Sequence, residues 1–179
     1  MSNIILSFDI GLRNFAFCQV NYKEGECTIQ NWNNINLRGE TAEECSSACI
    51  AFLKEYTKHL HDNHNTYVVI ERQMPQNIPC MCISHTVFAF FLTRFKDINV
   101  SFISANDKPL VSLGKARKVE AIKTITRYLN ATPRHAVFND WFQSQKKKDD
   151  LADCLLQILA IATKIEYKPI PRIVIVIDD

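Results

Sequence analysis

The chain predicts an α/β fold, a mixed five-stranded sheet flanked by helices. Three observations point there. The N-terminal part reads as a meander of three short strands. Downstream, strand-like runs alternate with runs of helical period. The run Tyr67-Val68-Val69-Ile70 is continuously apolar, as in strands covered on both faces. A hairpin meander followed by strands that helices separate argues for a mixed sheet with helices on its faces.

Each element follows from its residues. Positions 4–10 form a buried strand, and Asp9-Ile10-Gly11-Leu12-Arg13-Asn14 a tight turn. A second strand spans 15–22. Glu24-Gly25 makes a hairpin turn, and a third strand covers 28–32. Thr41 followed by Glu44 forms a capping box. Cys45, Cys49, Phe52, Leu53, Tyr56 and Leu60 then recur at helical spacing. The strand at 67–70 is followed by a proline-bearing loop over 73–79. Ile83, Val87, Phe90, Phe91 and Phe95 mark a helix that is apolar around much of its surface. A short strand spans 100–103. Val119, Ile122, Ile125 and Leu129 give one face of a helix over 115–129. Positions 132–145 read as irregular, with exposed aromatics Phe138, Trp141 and Phe142. The last helix runs over 149–165, and a strand-like tail broken by Pro169 and Pro171 spans 170–177.

Composition bounds the rest. A length of 179 residues predicts one domain, 1–179, with a full core. Four glycines leave little room for flexible linkers. A net charge of +2 permits nucleic-acid binding without demanding it. The positive charge clusters: Lys108, Lys115, Arg117, Lys118, Lys123 and Arg127 lie close in sequence, and Lys146-Lys147-Lys148 form a block. Seven cysteines, an odd number, sit largely in apolar runs. No signal-peptide pattern and no apolar run of about 18 residues is present, so neither secretion nor a membrane span is expected. Reduced thiols in a cytosolic or nuclear compartment fit that pattern. The spacings Cys45-x3-Cys49 and Cys80-x-Cys82 speak against a structural zinc.

Four carboxylates stand out. Asp9 ends one apolar run and Glu71 another; Asp150 and Asp153 open the last helix, three residues apart and so on one face. Each has a plainer role. Asp9 suits an Asx-turn before Gly11. Glu71 suits a pair with Arg72. Asp149 and Asp150 suit a helix N-terminus. Asp153, one turn in and among apolar neighbours, is not explained that way. Four separate explanations are needed where one metal site suffices. Two divalent ions about 4 Å apart, held by hard oxygen ligands, are the apparatus of phosphodiester cutting.

In order and setting, Asp9-Ile10-Gly11, Glu71 and Asp150-Leu151-Ala152-Asp153 resemble the acid pattern of the RNase H-like superfamily, specifically its RuvC-type Holliday-junction resolvases. The likeness spans roughly residues 4–162. The segments Ser7-Phe8-Asp9-Ile10-Gly11 and Lys147-Lys148-Asp149-Asp150-Leu151-Ala152-Asp153 look closest to the poxvirus resolvases. The resemblance implies an RNase H-like fold and a homodimer that nicks four-way DNA junctions symmetrically. It implies Mg²⁺ or Mn²⁺, two ions per site, held by Asp9, Glu71, Asp150 and Asp153. It also implies a catalytic lysine before the aspartate helix. Within Gly114-Lys115-Ala116-Arg117-Lys118, Lys118 is the first choice and Lys115 the second. Resolution of viral concatemers and recombination junctions, in the host cytoplasm, follows from the same likeness.

Lys115, Arg117 and the block Lys146, Lys147 and Lys148 are candidate DNA contacts, with a solvated charged surface as the alternative. Phe138, Trp141 and Phe142 have base stacking or core packing open to them. The helix over 83–95 suits a subunit interface or full burial within one chain. Two further readings of function stand beside the resolvase: an RNase H-type nuclease on RNA–DNA hybrids, and a catalytically idle junction-binding protein. A sugar-kinase-like ATP site is weaker, because the glycines are scattered.

Overall fold

The computed structural model describes residues 2–61, 65–108, 114–131 and 135–167, the side chains of Lys115, Ala136, Glu166 and Tyr167 excepted. The tail expected over 170–177 lies outside these residues. The elements run β1 (Asn3–Asp9), β2 (Phe15–Lys23), β3 (Glu26–Ile35), α1 (Ala42–Tyr56), β4 (Thr66–Glu71), α2 (Ile78–Arg94), β5 (Asn99–Ile103), α3 (Gly114–Ala131), α4 (Ala136–Ser144) and α5 (Lys148–Tyr167).

The five strands form one mixed sheet in the order β3-β2-β1-β4-β5. β1 pairs antiparallel with β2 and parallel with β4, so it is the seam between the meander and the parallel half. Tight turns set the meander. Gly11 is demanded by close approach, since a Cβ there would meet the Asn14 carbonyl oxygen at 2.6 Å. Glu24 and Gly25 both adopt positive φ, 52° and 82°, in a two-residue hairpin loop that matches strand twist.

The sheet is covered on both faces. On one, Leu6, Phe8, Val68 and Ile70 meet Cys49 and Leu53 of α1 and Ile83, Val87 and Phe91 of α2. On the other, Ile5, Cys18 and Val69 meet Ile125 of α3, Phe142 of α4 and Leu155 and Ile158 of α5. Alternate residues of each strand face opposite layers, which is why a strand here is apolar throughout. The capping box at α1 forms: Thr41 Oγ1 accepts from the Glu44 N–H, and the Glu44 carboxylate accepts from the Thr41 N–H.

One expectation fails. The segment expected to be irregular contains α4, and its aromatics are not displayed for base stacking. Phe142 is fully buried and stacks on Trp32 at 5.0 Å; Trp141 packs on the same indole at 5.3 Å. Phe138 packs against the same core. Burial of large rings against a neighbouring indole outweighs leaving them in water.

Candidate metal centre

The acids converge because of strand register. β1 and β4 run parallel with Phe8 beside Ile70, so Asp9 and Glu71 leave the sheet side by side at the carboxyl ends of two adjacent strands. Such strand ends, where the chain direction of the sheet changes, are where α/β folds place their sites. Asp153 reaches the same point from the second turn of α5, whose buried face packs across β1 and β2.

Between them lies Lys108, just past the short 3₁₀ turn Ala105–Asp107 that follows β5. Its Nζ is 3.1 Å from Glu71 Oε1 and 3.1 Å from Asp153 Oδ1, and its side chain is 1% exposed. Burial would discharge this lysine, but Glu71, Asp153 and Asp9 together outweigh it and hold the ammonium protonated above its usual range. Burial, then the charge of Glu71, pushes the Asp9 carboxyl well up, and Lys108 opposes this only in part. Glu71 is pushed up by burial, but the hydrogen bond with Asp9 and the Lys108 ammonium prevail and leave it low. Of the two neighbouring carboxyls, Asp9 is thus the one held up and Glu71 the one held down. Burial also raises Asp153 despite Lys108.

Asp150 lies one turn back. Burial and then Asp149 raise it, against Lys118 and Lys147. The doubled aspartate divides its work. Asp149 accepts from Lys118, and this lysine overcomes burial to hold it low, whereas Asp150 stays raised. Lys118 is therefore exposed and tied at the mouth of the site, while Lys108 occupies its centre. Arg117 donates to the Ala105 carbonyl and lends positive charge to Glu71 and Asp153. Lys115's side chain lies outside the described residues. Lys146 and Lys147 are exposed beside the N-terminus of α5, and Lys148 is half-buried in its first turn.

Sequence reading grouped Lys108 with the basic cluster and gave it no role at the acids. The signal that could have found it was its place one short turn after β5, the strand beside the one carrying Glu71. Among the described residues, no three His, Cys, Asp or Glu side chains are gathered as ligands of one ion; an ammonium stands between the acids instead. The donors are nevertheless those of a hard divalent cation: carboxylate oxygens only, in excess over the single positive charge they surround. The buried ammonium marks the point where a cation is stabilised.

The profile of the family described as Poxvirus A22 protein matches residues 3–166. Among solved structures, fowlpox virus resolvase in complex with substrate Holliday junction DNA is similar at 19% identity and TM-score 0.69, covering 90% of this chain and 98% of that one. Fowlpox virus Holliday junction resolvase itself is similar at 20% identity and TM-score 0.66, with 90% and 99% covered. Thermus thermophilus RuvC is similar at 14% identity and TM-score 0.63, with 92% and 96% covered. At these identities the structures share the fold, which is the RNase H-like one expected. No curated protein sequence matches the chain.

Proposed function

The chain belongs to the poxvirus A22 protein family, and from that we propose that it is a metal-dependent, structure-selective endonuclease that resolves four-way DNA junctions by paired symmetric nicks. The observation that carries this reading is the convergence of Asp9, Glu71 and Asp153 on one buried positive charge at the end of the β1–β4 seam. The similar fowlpox protein was solved with a Holliday junction, which supports the same substrate class here.

In this reading Asp9, Glu71 and Asp153 would hold Mg²⁺ or Mn²⁺, and Asp150 would complete the set from one turn back on α5. Bound, the two ions would activate water and offset charge at the scissile phosphate. The protein's own residues do the rest. Positive charge at the site would favour the ionised form of Asp9, which burial and the charge of Glu71 disfavour. Lys108, freed from Glu71 and Asp153, presents its ammonium to a phosphate oxygen. Lys118 sits at the mouth, where it meets the phosphate backbone, with Arg117 behind it and Lys146, Lys147 and Lys148 along the start of α5.

A homodimer fits the surface of α2. One side of this helix is buried on the sheet, while Ile78 is 62% and Leu92 44% exposed, in line with exposed Cys82 and Ala89. A twofold partner would cover this stripe and give two active sites for two symmetric strands. No helix among the described residues is long and apolar enough to cross a membrane. Action on replicated viral concatemers and recombination junctions in the host cytoplasm is the corresponding biological role.

Cleavage of a labelled synthetic four-way junction with Mg²⁺ or Mn²⁺, beside linear duplex and RNA–DNA hybrid, tests the reading. Paired nicks at symmetric positions, lost with chelator, are expected. Preferential cutting of the hybrid would make the protein an RNase H-type nuclease instead. Binding without cutting would make it an idle junction binder. Asp153→Asn is the control, expected to lose nicking while keeping its fold and junction affinity.

A further inference from the structure

Helix α5 carries a polar side chain that the site does not use. Gln157 is 0% exposed, and its Oε1 accepts a hydrogen bond of 2.8 Å from the hydroxyl of Ser7, also 0% exposed, 150 residues away. Around them the layer is apolar: Cys18 and Val69 flank Ser7 in register, and Cys154 and Ile158 flank Gln157. The Gln157 Nε2 has no hydrogen-bond partner among the described residues. Burying two polar groups for one hydrogen bond, with a donor left over, stabilises a core less than apolar side chains of the same shape. Stability therefore does not account for the pair.

Its position does. Ser7 stands two residues before Asp9 and so on the same face of β1. Gln157 stands four residues after Asp153 and so on the same side of α5. We propose that the Ser7–Gln157 hydrogen bond positions the metal-holding acids, by locking the axial and rotational setting of α5 on β1 and with it the separation of Asp9 and Asp153. A second directional tie stands on the other side of Asp153, where the Trp32 indole N–H donates to the Leu151 carbonyl at 3.0 Å. The helix is thus pinned at residues 151 and 157, with Asp153 between the pins. Apolar contacts resist sliding weakly because they are not directional; a short hydrogen bond at each end does not tolerate it. Ser7 and Gln157 are positioning residues, since neither touches the reacting atoms.

This inference rests on the reading of the acids as a metal site, and the experiment separates the two. Mn²⁺ uptake by the metal-free protein is measured directly by the loss of the free-ion electron paramagnetic resonance signal, for wild type and for the double variant Ser7→Ala, Gln157→Leu. Melting temperature, junction affinity without metal and nicking rate are followed alongside. The double variant is expected to melt no lower than wild type and to bind the junction equally. It is expected to bind Mn²⁺ about ten-fold more weakly, the scale of loss when an outer partner of a metal ligand is removed, and to nick more slowly even at saturating Mn²⁺. Unchanged Mn²⁺ affinity and nicking rate would overturn the positioning role, as would a lower melting temperature with unchanged Mn²⁺ affinity. If wild type takes up no Mn²⁺, the metal site itself fails, independently of the variant. Should the double variant not fold, Ser7→Ala alone tests the same tie: it leaves the Gln157 amide unpaired and is expected to melt lower than wild type, and it is still expected to bind Mn²⁺ about ten-fold more weakly, with unchanged Mn²⁺ affinity overturning the positioning role.

Discussion

Lys108 illustrates how one side chain changes the meaning of its neighbours. Alone, Glu71 and Asp153 would be two half-buried acids in mutual repulsion; the buried ammonium between them balances their charge. Lys108→Met should therefore lower the stability of the metal-free protein at neutral pH by about 3–5 kcal/mol, the scale for breaking a buried ion pair. Divalent ions should restore more of the melting temperature in this variant than they add to wild type. Asp9 supplies a pH test. Its folded value is raised above 3.8, so its contribution to stability is full below that value and is lost as pH rises through the folded one. Glu71 has the opposite sign: its contribution is present above 4.5 and is lost as pH falls through its lowered folded value. Metal-free Asp9→Asn should then melt above wild type at neutral pH, with the gap closing toward pH 4. Added Mg²⁺ should raise wild type and leave the variant nearly unmoved. A gap that is independent of pH would show that ionisation of Asp9 is not its source.

At the level of elements, the turns and caps were legible because their causes are local. The Thr41–Glu44 capping box, the Glu24-Gly25 turn and the turn at Gly11 each depend on a few adjacent residues. Helix α4 was not recovered, although Phe138, Trp141 and Phe142 recur at helical spacing. Its nine residues are too few to stand alone, and what stabilises it is a distant residue, Trp32 on β3. Helix α2 makes a prediction of its own. Six of the seven cysteines are buried and Cys82 alone is exposed, on the apolar stripe. A thiol reagent should modify one cysteine per native chain quickly, and Cys82→Ser should remove that reaction. If the stripe is the dimer face, modification should slow as protein concentration rises, and Leu92→Glu should abolish this slowing. Reaction at a rate independent of concentration would place the dimer interface elsewhere.

Across the whole molecule, the sheet order sets a division of labour between centre and rim. β1 and β4 lie at the middle of the sheet and carry the half-buried acids Asp9 and Glu71; Lys118 of α3 and the lysines before and at the start of α5 lie outside them. Replacing Lys146, Lys147 and Lys148 with alanine should weaken junction binding and flatten its salt dependence, by about 0.9 in the log–log slope for each phosphate that is no longer neutralised. Lys118→Ala should lower the nicking rate more than the affinity. Equal losses would make Lys118 another phosphate-binding side chain and leave Lys108 as the lysine of the chemistry.

The strands and four of the five helices were legible along the chain, and four acids stood out there, because apolar period, caps and isolated charges in apolar runs are properties of neighbouring residues. Which charges meet is set by packing across the fold. Lys108 and Lys118 look alike in sequence, ten residues apart in the same basic stretch, yet one is buried between Glu71 and Asp153 and the other is tied to Asp149 at the surface. Ser7 and Gln157 passed unremarked, each a single polar residue in a long apolar run. They become a pair only because β1 and α5, 150 positions apart, are packed face to face. Burial and pairing depend on contacts across the fold, and no local pattern encodes which distant element supplies the partner.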